Sequence, residues 1–258
     1  MAILWPECSD DSGELAKLRA SLKRAGIDAA PLVSIKCSPS EAVVCRASVA
    51  VHRRRVGESL DEILGSVGWE LPYLARSRIA PLINDLDLIE YVHFGVEVRN
   101  AEATRKLYLA FPPHTATLLE MLQVDPALLL VAVKWNAASP EQWRLSEYRD
   151  ADTRMIERME QAVNLADDAG WTRAASELLS AVSWRVGEEG DVIQVVEEGS
   201  GRWSIDARVG SLSANSERCI DKWLARYNLQ RGPITSSVLR IAVGSAKDQT
   251  PFITIYGR

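Results

Sequence analysis

Apolar and polar residues alternate along two long segments in the first part of the chain, residues 41–55 and 89–99. Because successive side chains of a strand point to opposite faces, this alternation predicts two half-buried β-strands. A turn over residues 100–103 leads from the second segment into TRKLYLAF, which predicts a β-hairpin. One face of the second segment is apolar and carries Val92, Phe94, Val96 and Val98. The other face is more polar and carries Tyr91, His93, Gly95 and Glu97.

Helical and strand-like patterns follow one another along the rest of the chain. Helices are predicted over residues 12–26, 75–86, 114–122, 153–181 and 213–227, and a short helix is predicted to begin at a capping box over residues 59–62. The helix over 75–86 is expected to be interrupted at Pro81, and the one over 153–181 to break at 168–170. Further strands are predicted over residues 128–137, 142–149, 182–187, 191–198, 202–209, 238–246 and 252–258.

The order of these elements, a helix and then two strands, repeats to the end of the chain. Strands joined by short turns pair antiparallel, whereas a parallel sheet needs a crossover after every strand. We therefore expect an α/β (α+β) fold in which roughly ten antiparallel strands close into a barrel ringed by helices. The expected organisation is a single domain spanning residues 1–258.

Basic and hydroxyl-bearing residues recur two positions apart on three of the predicted strands. Alternation places such residues on one face of their strand, so a closed barrel would be lined with cations and hydroxyls. Such an interior is suited to holding a diphosphate. The residues are Lys106 and Tyr108, then Arg144, Ser146 and Tyr148, then Arg202, Ser204, Asp206 and Arg208.

Composition and charge limit the classes of function. The 258 residues carry a formal net charge of −5, which argues against a general nucleic-acid or membrane-surface binder. We find no apolar run long enough to cross a membrane, no secretory signal pattern and no CxxC among the four cysteines. The expectation is a soluble cytoplasmic protein with reduced thiols, including a buried and inert Cys45.

Motifs for common cofactors are absent from the sequence. There is no glycine-rich nucleotide loop, no HExxH and no clustered Cys/His spacing, and the chain has three histidines. We therefore expect no organic cofactor and no protein-held metal.

Several short motifs together resemble the ABBA prenyltransferases, also called the PT-barrel family. They are a K-x-Y strand at Lys106 and Tyr108, an R-x-x-x-Y strand at Arg144 and Tyr148, and a final hairpin with IAVG at 241–244 and PFITIY at 251–256. The chain looks closest to the branch that prenylates ribosomal peptides, as in cyanobactin maturation. It departs from the family at Ser146, where a second basic residue is usual, and at Asp206.

The resemblance implies a reaction and a set of site residues. A prenyl diphosphate would ionise to an allylic cation, a peptide side chain or small aromatic acceptor would attack it, and a carboxylate would remove a proton. Some family members use Mg²⁺ with the diphosphate, and the sequence leaves this open. The implied diphosphate ligands are Arg46, Lys106, Lys134, Arg144, Arg208 and Arg240. The implied cation shield is Tyr108, Tyr148 and Tyr256. Glu97 has the right phase for the base, whereas Glu41 lies early in the barrel as the family's glutamate does.

A second function remains open at this point. The same barrel could bind a small hydrophobic or anionic ligand, or a peptide, without turnover. That alternative predicts that the cations are scattered, or are paired with carboxylates at Glu97, Glu147 and Asp206. Taken singly, Lys106 and Arg144 would be ordinary solvated charges of a strand surface. Only their position on the same face of neighbouring strands favours a binding site. A third alternative is a scaffold with a filled barrel.

Overall fold

The computed structural model describes residues 13–57, 59–83, 88–112, 125, 127–229 and 238–257. The described helices are α1 (Glu14–Arg24), α2 (Leu60–Val67), α3 (Tyr73–Ile83), α4 (Met155–Val163), α5 (Ala169–Ala181) and α6 (Ala214–Ala225), with a short 3-10 helix at Arg53–Arg55. The described strands are β1 (Leu32–Cys37), β2 (Ala42–Val43), β3 (Cys45–His52), β4 (Tyr91–Arg99), β5 (Glu102–Ala110), β6 (Leu128–Asn136), β7 (Trp143–Asp150), β8 (Val192–Glu197), β9 (Trp203–Arg208), β10 (Val238–Ser245) and β11 (Pro251–Gly257).

The strands form one sheet that closes on itself. Its order is β11-β10-β9-β8-β7-β6-β5-β4-β3-β1-β2, and β11 also pairs with β1. The β1–β11 ladder is antiparallel, with Lys36 opposite Thr254. A ring of ten strands results, with the two-residue β2 attached to β1, which confirms the predicted antiparallel barrel with helices.

The chain divides into two compact units. Unit 1 comprises Met1–Pro31 and Cys45–Tyr148, and unit 2 comprises Leu32–Val44 and Arg149–Arg258. We describe each unit by itself, and the predicted single domain stays a prediction.

In unit 1, one face of the sheet is a continuous apolar surface. Val49, Phe94, Leu107 and Val133 lie opposite one another on β3 to β6, and each is at most 1% exposed. Trp69 packs edge-on against Phe94 at a ring distance of 5.7 Å, and α1 packs against α2 and β4. Burial of this face follows from the alternation that the sequence shows.

Unit 2 has the same two-faced construction. Ile35, Ile255, Ile241 and Ala207 form an apolar row across β1, β11, β10 and β9. Helix α4 packs against β8 to β11, and α5 packs against both α4 and α6. The opposite, polar face of each unit carries the charged residues singled out in the sequence.

Several local predictions are confirmed. Ser59 and Glu62 form the predicted capping box of α2. The β4–β5 hairpin turns at Asn100 and Ala101, whose φ angles of 51° and 64° are typical of a two-residue hairpin turn. The predicted break near residues 168–170 separates α4 from α5. The predicted helix over 114–122 lies outside the described residues.

Other element predictions are wrong. Strand β1 was not predicted, and the segment 182–187 forms only an isolated bridge from Trp184 to Val209. That segment cannot join the sheet because β8 and β10 already occupy both sides of β9. Pro81 does not interrupt α3. It lies in the last turn, where only one backbone hydrogen bond is lost.

The cysteines differ from the expectation of reduced thiols. Cys45 is disulfide-bonded, so the prediction of a free, inert thiol is wrong at this position. Cys37 and Cys219 are free. The sequence pattern alone could not show the disulfide bond of Cys45, because disulfide formation depends on a close approach in three dimensions.

Within the part of the chain that the structure describes, no helix is long and apolar enough to span a membrane.

Candidate functional site

The polar face of unit 1 is organised in rows by the strand register. One row runs Arg46, Glu97, Thr104 and Asn136, and the next runs Ser48, Gly95, Lys106 and Lys134. The third row runs Ala50, His93, Tyr108 and Ala132. Neighbouring rows are two residues apart along each strand, or about 7 Å. The face therefore changes from charged to aromatic along the strand direction.

Two of the predicted diphosphate ligands meet at one carboxylate. Arg46 Nε donates a hydrogen bond to Glu97 Oε2 at 3.0 Å, and Lys106 Nζ donates to the same oxygen. Arg46 and Lys106 are 7% and 8% exposed. Glu97 therefore holds two buried cations side by side, where its charge offsets part of their repulsion.

A third predicted ligand, Lys134, lies opposite Lys106 in the same row. Its Nζ donates a hydrogen bond to Ser146 Oγ at 2.7 Å, and both residues are buried. Ser146 is the position where the sequence departs from the family pattern. The serine supplies a neutral acceptor to the lysine there, rather than a further cation. We call Arg46, Glu97, Lys106, Lys134 and Ser146 the cationic cluster.

Aromatic rings lie directly beside the cationic cluster. The rings of Tyr108 and Tyr148 meet edge to face with centroids 5.9 Å apart, and His93 lies 5.9 Å from Tyr108. Burial lowers the pKa of His93 to about 4, so its imidazole is neutral at pH 7. These rings form an apolar surface with polar edges, one row away from Lys106.

Gly95 lies at the boundary between the charged and the aromatic rows. A Cβ at this position would lie 3.3 Å from Tyr108 Cε2 and 3.4 Å from the Cβ atoms of Lys106 and Ser48. The glycine thus lets the tyrosine ring and the lysine stem lie close together on this face. Sequence reasoning placed Gly95 on the polar face but gave it no role.

Arg144, the fourth predicted ligand in unit 1, is exposed. It lies on β7 two residues before Ser146, so it shares the polar face. The middle of this face, on the described strands β3 to β7, therefore carries four cations, Arg46, Lys106, Lys134 and Arg144, and one carboxylate, Glu97.

The predicted ligand Arg240 in unit 2 has a different environment. Its Nε donates to Asp206 Oδ1 at 2.5 Å, and its Nη1 donates to the Gly190 carbonyl at 2.9 Å. Its Nη2 donates to the carbonyls of Asp191 at 3.3 Å and Asp206 at 3.1 Å. All three guanidinium nitrogens therefore donate hydrogen bonds to protein oxygens. These hydrogen bonds connect β10, which carries Arg240, to β9, which carries Asp206.

Arg208, the other predicted ligand in unit 2, lies near a buried carboxylate. Its Nη1 is 3.4 Å from Asp191 Oδ1, and Asp191 is 1% exposed. Tyr256 lies on β11 opposite Arg240, and Glu41 lies in the turn before β2. The structure thus brings together one set of predicted residues within unit 1 and a second set, Arg208, Arg240 and Tyr256, within unit 2.

Three residues of unit 2 were not among the predicted site residues. Lys36 Nζ lies 4.1 Å from the centroid of the Phe252 ring, and Arg202 Cζ lies 5.3 Å from it. The available sequence signals were the phase of Arg202 with Ser204, and Phe252 in the final hairpin. Lys36 gave no signal because β1 was not predicted.

No metal site is evident among the residues that the structure describes. They contain no group of three or more His, Cys, Asp or Glu side chains placed to hold an ion. Glu97, the carboxylate of the cationic cluster, is bound by Arg46 and Lys106.

Comparison with solved structures identifies the fold. The chain is similar to 5-dimethylallyltryptophan synthase from Streptomyces coelicolor, with a TM-score of 0.58 and 13% identity over 97% of this chain and 91% of that chain. The same enzyme in complex with DMASPP and Trp gives a TM-score of 0.56 and 12% identity, covering 95% of this chain and 89% of that one. AnaPT from Neosartorya fischeri gives a TM-score of 0.55 and 12% identity, covering 88% of this chain and 77% of that one.

The chain therefore has the fold of ABBA-type prenyltransferases, as the sequence resemblance implied. No model of a protein family matches the sequence, and no curated protein sequence matches it either. At 12–13% identity the similarity concerns the fold. Activity has to be argued from the residues of this chain.

Proposed function

We propose that the chain is a prenyltransferase, which moves a dimethylallyl or geranyl group from its diphosphate to a small aromatic acceptor or a peptide side chain. The observation that carries this proposal is the cationic cluster beside the Tyr108–Tyr148 ring pair, on one face of a barrel of this fold. A prenyl diphosphate has the matching division into a multiply charged head and an apolar, cation-forming tail.

The proposed chemistry begins at the bond between the prenyl C1 and the diphosphate oxygen. When this bond breaks, the electron pair leaves with the diphosphate, and nearby cations stabilise the growing negative charge. Lys106, Lys134, Arg46 and Arg144 would serve this role in unit 1. Lysine offers a compact charge, and arginine offers a planar fork to two oxygens.

The allylic cation left behind needs protection from water. Tyr108 and Tyr148 present ring faces and edges close to the cluster, and aromatic faces attract cations. Tyr256 is the proposed counterpart in unit 2. An electron pair from the acceptor then forms the new bond to C1, and a carboxylate takes the proton that the acceptor carbon loses.

Two carboxylates remain candidates for the base, and their contacts suggest different roles. Glu97 is bound by Arg46 and Lys106, which stabilise its negative charge and make it a weaker proton acceptor. We therefore assign Glu97 mainly to positioning the two cations and favour Glu41 as the base. In unit 2, Arg208 is kept as a proposed ligand, whereas Arg240 is assigned to holding β9 and β10.

The alternative of a binding barrel without turnover has one specific observation in its favour. Arg46 and Lys106 are paired with Glu97, and Arg240 with Asp206, as that alternative predicts. Diphosphate binding alone would fit both functions. Only the formation of a prenylated product distinguishes the prenyltransferase from the binding barrel.

The test is calorimetry with dimethylallyl and geranyl diphosphate, with and without Mg²⁺, followed by mass spectrometry with aromatic and peptide acceptors. Lys106→Met keeps the apolar stem and removes the charge, and we expect binding roughly 10- to 100-fold weaker. Lys17→Met is the matched control, because Lys17 is an exposed lysine of the same unit that pairs with Glu14. Absence of binding of both compounds would exclude the prenyltransferase, and binding without prenylated product would favour the binding barrel.

A further inference from the structure

A basic turn follows β3 directly and carries three consecutive arginines. Arg53–Arg55 form the short 3-10 helix, in which Arg53 is buried and Arg54 and Arg55 are exposed. Two hydrogen bonds fix the turn: Arg53 N donates to the Glu90 carbonyl at 2.9 Å, and Arg54 N donates to His52 Nδ1 at 3.3 Å. The backbone therefore holds the two exposed arginines at the end of β3, and the reaction proposed above uses neither of them.

The turn lies beside the aromatic end of the polar face of unit 1. His52 and Tyr91 are opposite each other, two residues beyond Ala50 along β3, and so add a fourth row to this face. Their rings meet edge to face with centroids 5.5 Å apart, and Tyr91 is 40% exposed. Ala50 is exposed, although its strand neighbours Val49 and Val51 on the opposite face are 0% and 3% exposed. The polar face is therefore open to solvent at this end.

The two exposed arginines leave a local surplus of positive charge. With the rest of the described chain, the side chains of Arg54 and Arg55 form neither an ion pair nor a hydrogen bond. Carboxylates that follow the turn in sequence have other partners, since Asp61 is in an exposed ion pair and Glu62 belongs to the capping box of α2. Glu90 lies next to the turn and offsets at most one of the charges. The surplus stands out on a chain whose net charge is −5.

We call Arg54, Arg55 and Tyr91 the rim patch. Each guanidinium offers a planar fork that binds one carboxylate through two hydrogen bonds. The exposed tyrosine ring adds a rigid apolar contact with a polar edge, as is common at protein interfaces. Nucleic acid fits this patch less well, because its binding depends on many cation–phosphate contacts and the chain as a whole is negative. The matching partner is a short run of carboxylates on a flexible chain.

The position of the rim patch sets the spacing between those carboxylates and the reacting group. Tyr108 lies in the row next to His52 and Tyr91, and the turn follows His52, so the arginines begin about 7–10 Å from the aromatic row. An extended peptide covers about 3.3–3.6 Å per residue. A peptide whose aromatic side chain reaches Tyr108 would therefore place the residues about two to four positions away against Arg54 and Arg55.

We infer that the rim patch docks an acidic segment of a peptide, so that the acceptor is an aromatic side chain with carboxylates about two to four residues away in its own chain. The assignment of this peptide as the prenyl acceptor rests on the proposed function. The docking surface itself rests on Arg54, Arg55 and Tyr91.

The experiment compares acidic peptides with neutral peptides of the same size. Binding of the capped hexapeptides GWGDDE and GWGNNQ, and of the reversed pair EDDGWG and QNNGWG, is measured by calorimetry without any prenyl donor. We expect at least one acidic peptide to bind about fivefold or more tightly than its neutral counterpart at low salt, because two exposed ion pairs act together. The preference should disappear at about 1 M salt, where charges are screened beyond about 3 Å.

Variants test whether the preference depends on the rim patch. Arg54→Gln/Arg55→Gln should remove it, whereas Arg54→Lys/Arg55→Lys keeps both charges and should retain part of it. Lys23→Gln/Arg24→Gln is the matched control, because these two adjacent, exposed cations end α1 in the same unit. The control removes the same net charge and should leave the preference unchanged.

Several outcomes would overturn the inference. These are equal binding of acidic and neutral peptides by the wild-type protein, no binding of any peptide, a preference that survives in Arg54→Gln/Arg55→Gln, or an equal loss in the control. A loss of inorganic diphosphate binding in Arg54→Gln/Arg55→Gln would instead make the turn part of a diphosphate site. Failure of the proposed function gives a different result, namely no Lys106-dependent binding of prenyl diphosphates.

Discussion

Replacing Glu97 by glutamine should have opposite effects on stability and on diphosphate affinity. The substitution keeps the size of the side chain and removes its charge. In the wild-type protein that charge is shared by Arg46 and Lys106, which are 7% and 8% exposed. Without it, two buried cations face each other with only a neutral amide between them.

The size of the stability loss follows from burial. Removing one partner of a fully buried ion pair costs about 3–5 kcal/mol. The Glu97 side chain is 20% exposed, so water screens part of the interaction. We therefore expect a loss of about 2–3 kcal/mol in the free energy of unfolding. For a chain of this size, that corresponds to a decrease in Tm of about 4–12 °C.

Diphosphate binding should change in the other direction. At the proposed site of the wild-type protein, a diphosphate would compete with the Glu97 carboxylate for Arg46 and Lys106 and would be repelled by it. Glu97→Gln removes both effects, so inorganic diphosphate should bind at least about tenfold more tightly. A ligand at 100 times its Kd stabilises a protein by about 2.7 kcal/mol, so saturating diphosphate should restore most of the lost stability.

The assay is thermal unfolding with and without inorganic diphosphate, together with calorimetry of diphosphate binding. Asp61→Asn is the control, because Asp61 forms an exposed ion pair with Arg76 in the same unit and should change neither quantity. Weaker diphosphate binding in a folded Glu97→Gln protein would refute the proposed competition. An unchanged Tm would refute the buried ion pair.

Three further predictions concern other parts of the structure. Arg240→Lys should lower the free energy of unfolding by about 2–4 kcal/mol in urea titrations, because lysine cannot reproduce a planar fork with acceptors at all three nitrogens; a loss below 1 kcal/mol would contradict this. His93 has a folded pKa of about 4 against an unfolded value of 6.5, so the unfolded state binds the extra proton and stability should fall by about 2 kcal/mol as pH decreases from 6.5 to 4. This decrease should be absent from urea titrations of His93→Gln. Ser59→Ala should cost about 1 kcal/mol by removing the capping box of α2, whereas Ser59→Asp should cost clearly less.

Alternation along the chain was sufficient to predict the barrel and the phase of its charged residues. Arg46, Lys106 and Lys134 share the polar face because each lies an odd number of residues from the buried apolar positions of its strand. The same period could not predict which charges pair. Arg46 meets Glu97 through the β3–β4 register, and a slip of one residue would move every side chain to the opposite face.

The contact between Lys36 and the Phe252 ring shows a different limit of sequence analysis. It requires β1 to pair with β11, strands from opposite ends of the chain. Strand β1 is six residues long, and Pro31 and Pro39 lie on either side of it, so its local pattern is too short to stand out. Contacts that depend on closure of the sheet carry no local signal, because neither strand specifies the other.

The two groups of paired cations differ in how readily a ligand could displace their partners. At Arg46 and Lys106 one partner is the Glu97 side-chain carboxylate, which could rotate about its own bonds when a diphosphate binds. At Arg240 the acceptors include three backbone carbonyls, which cannot move without distorting the sheet and the turn before β8. A buried cation needs an anionic or hydrogen-bonding partner before the ligand binds as well as after it. Pairing with Glu97 is therefore compatible with a diphosphate site, and the fixed pairing of Arg240 argues that its role is structural.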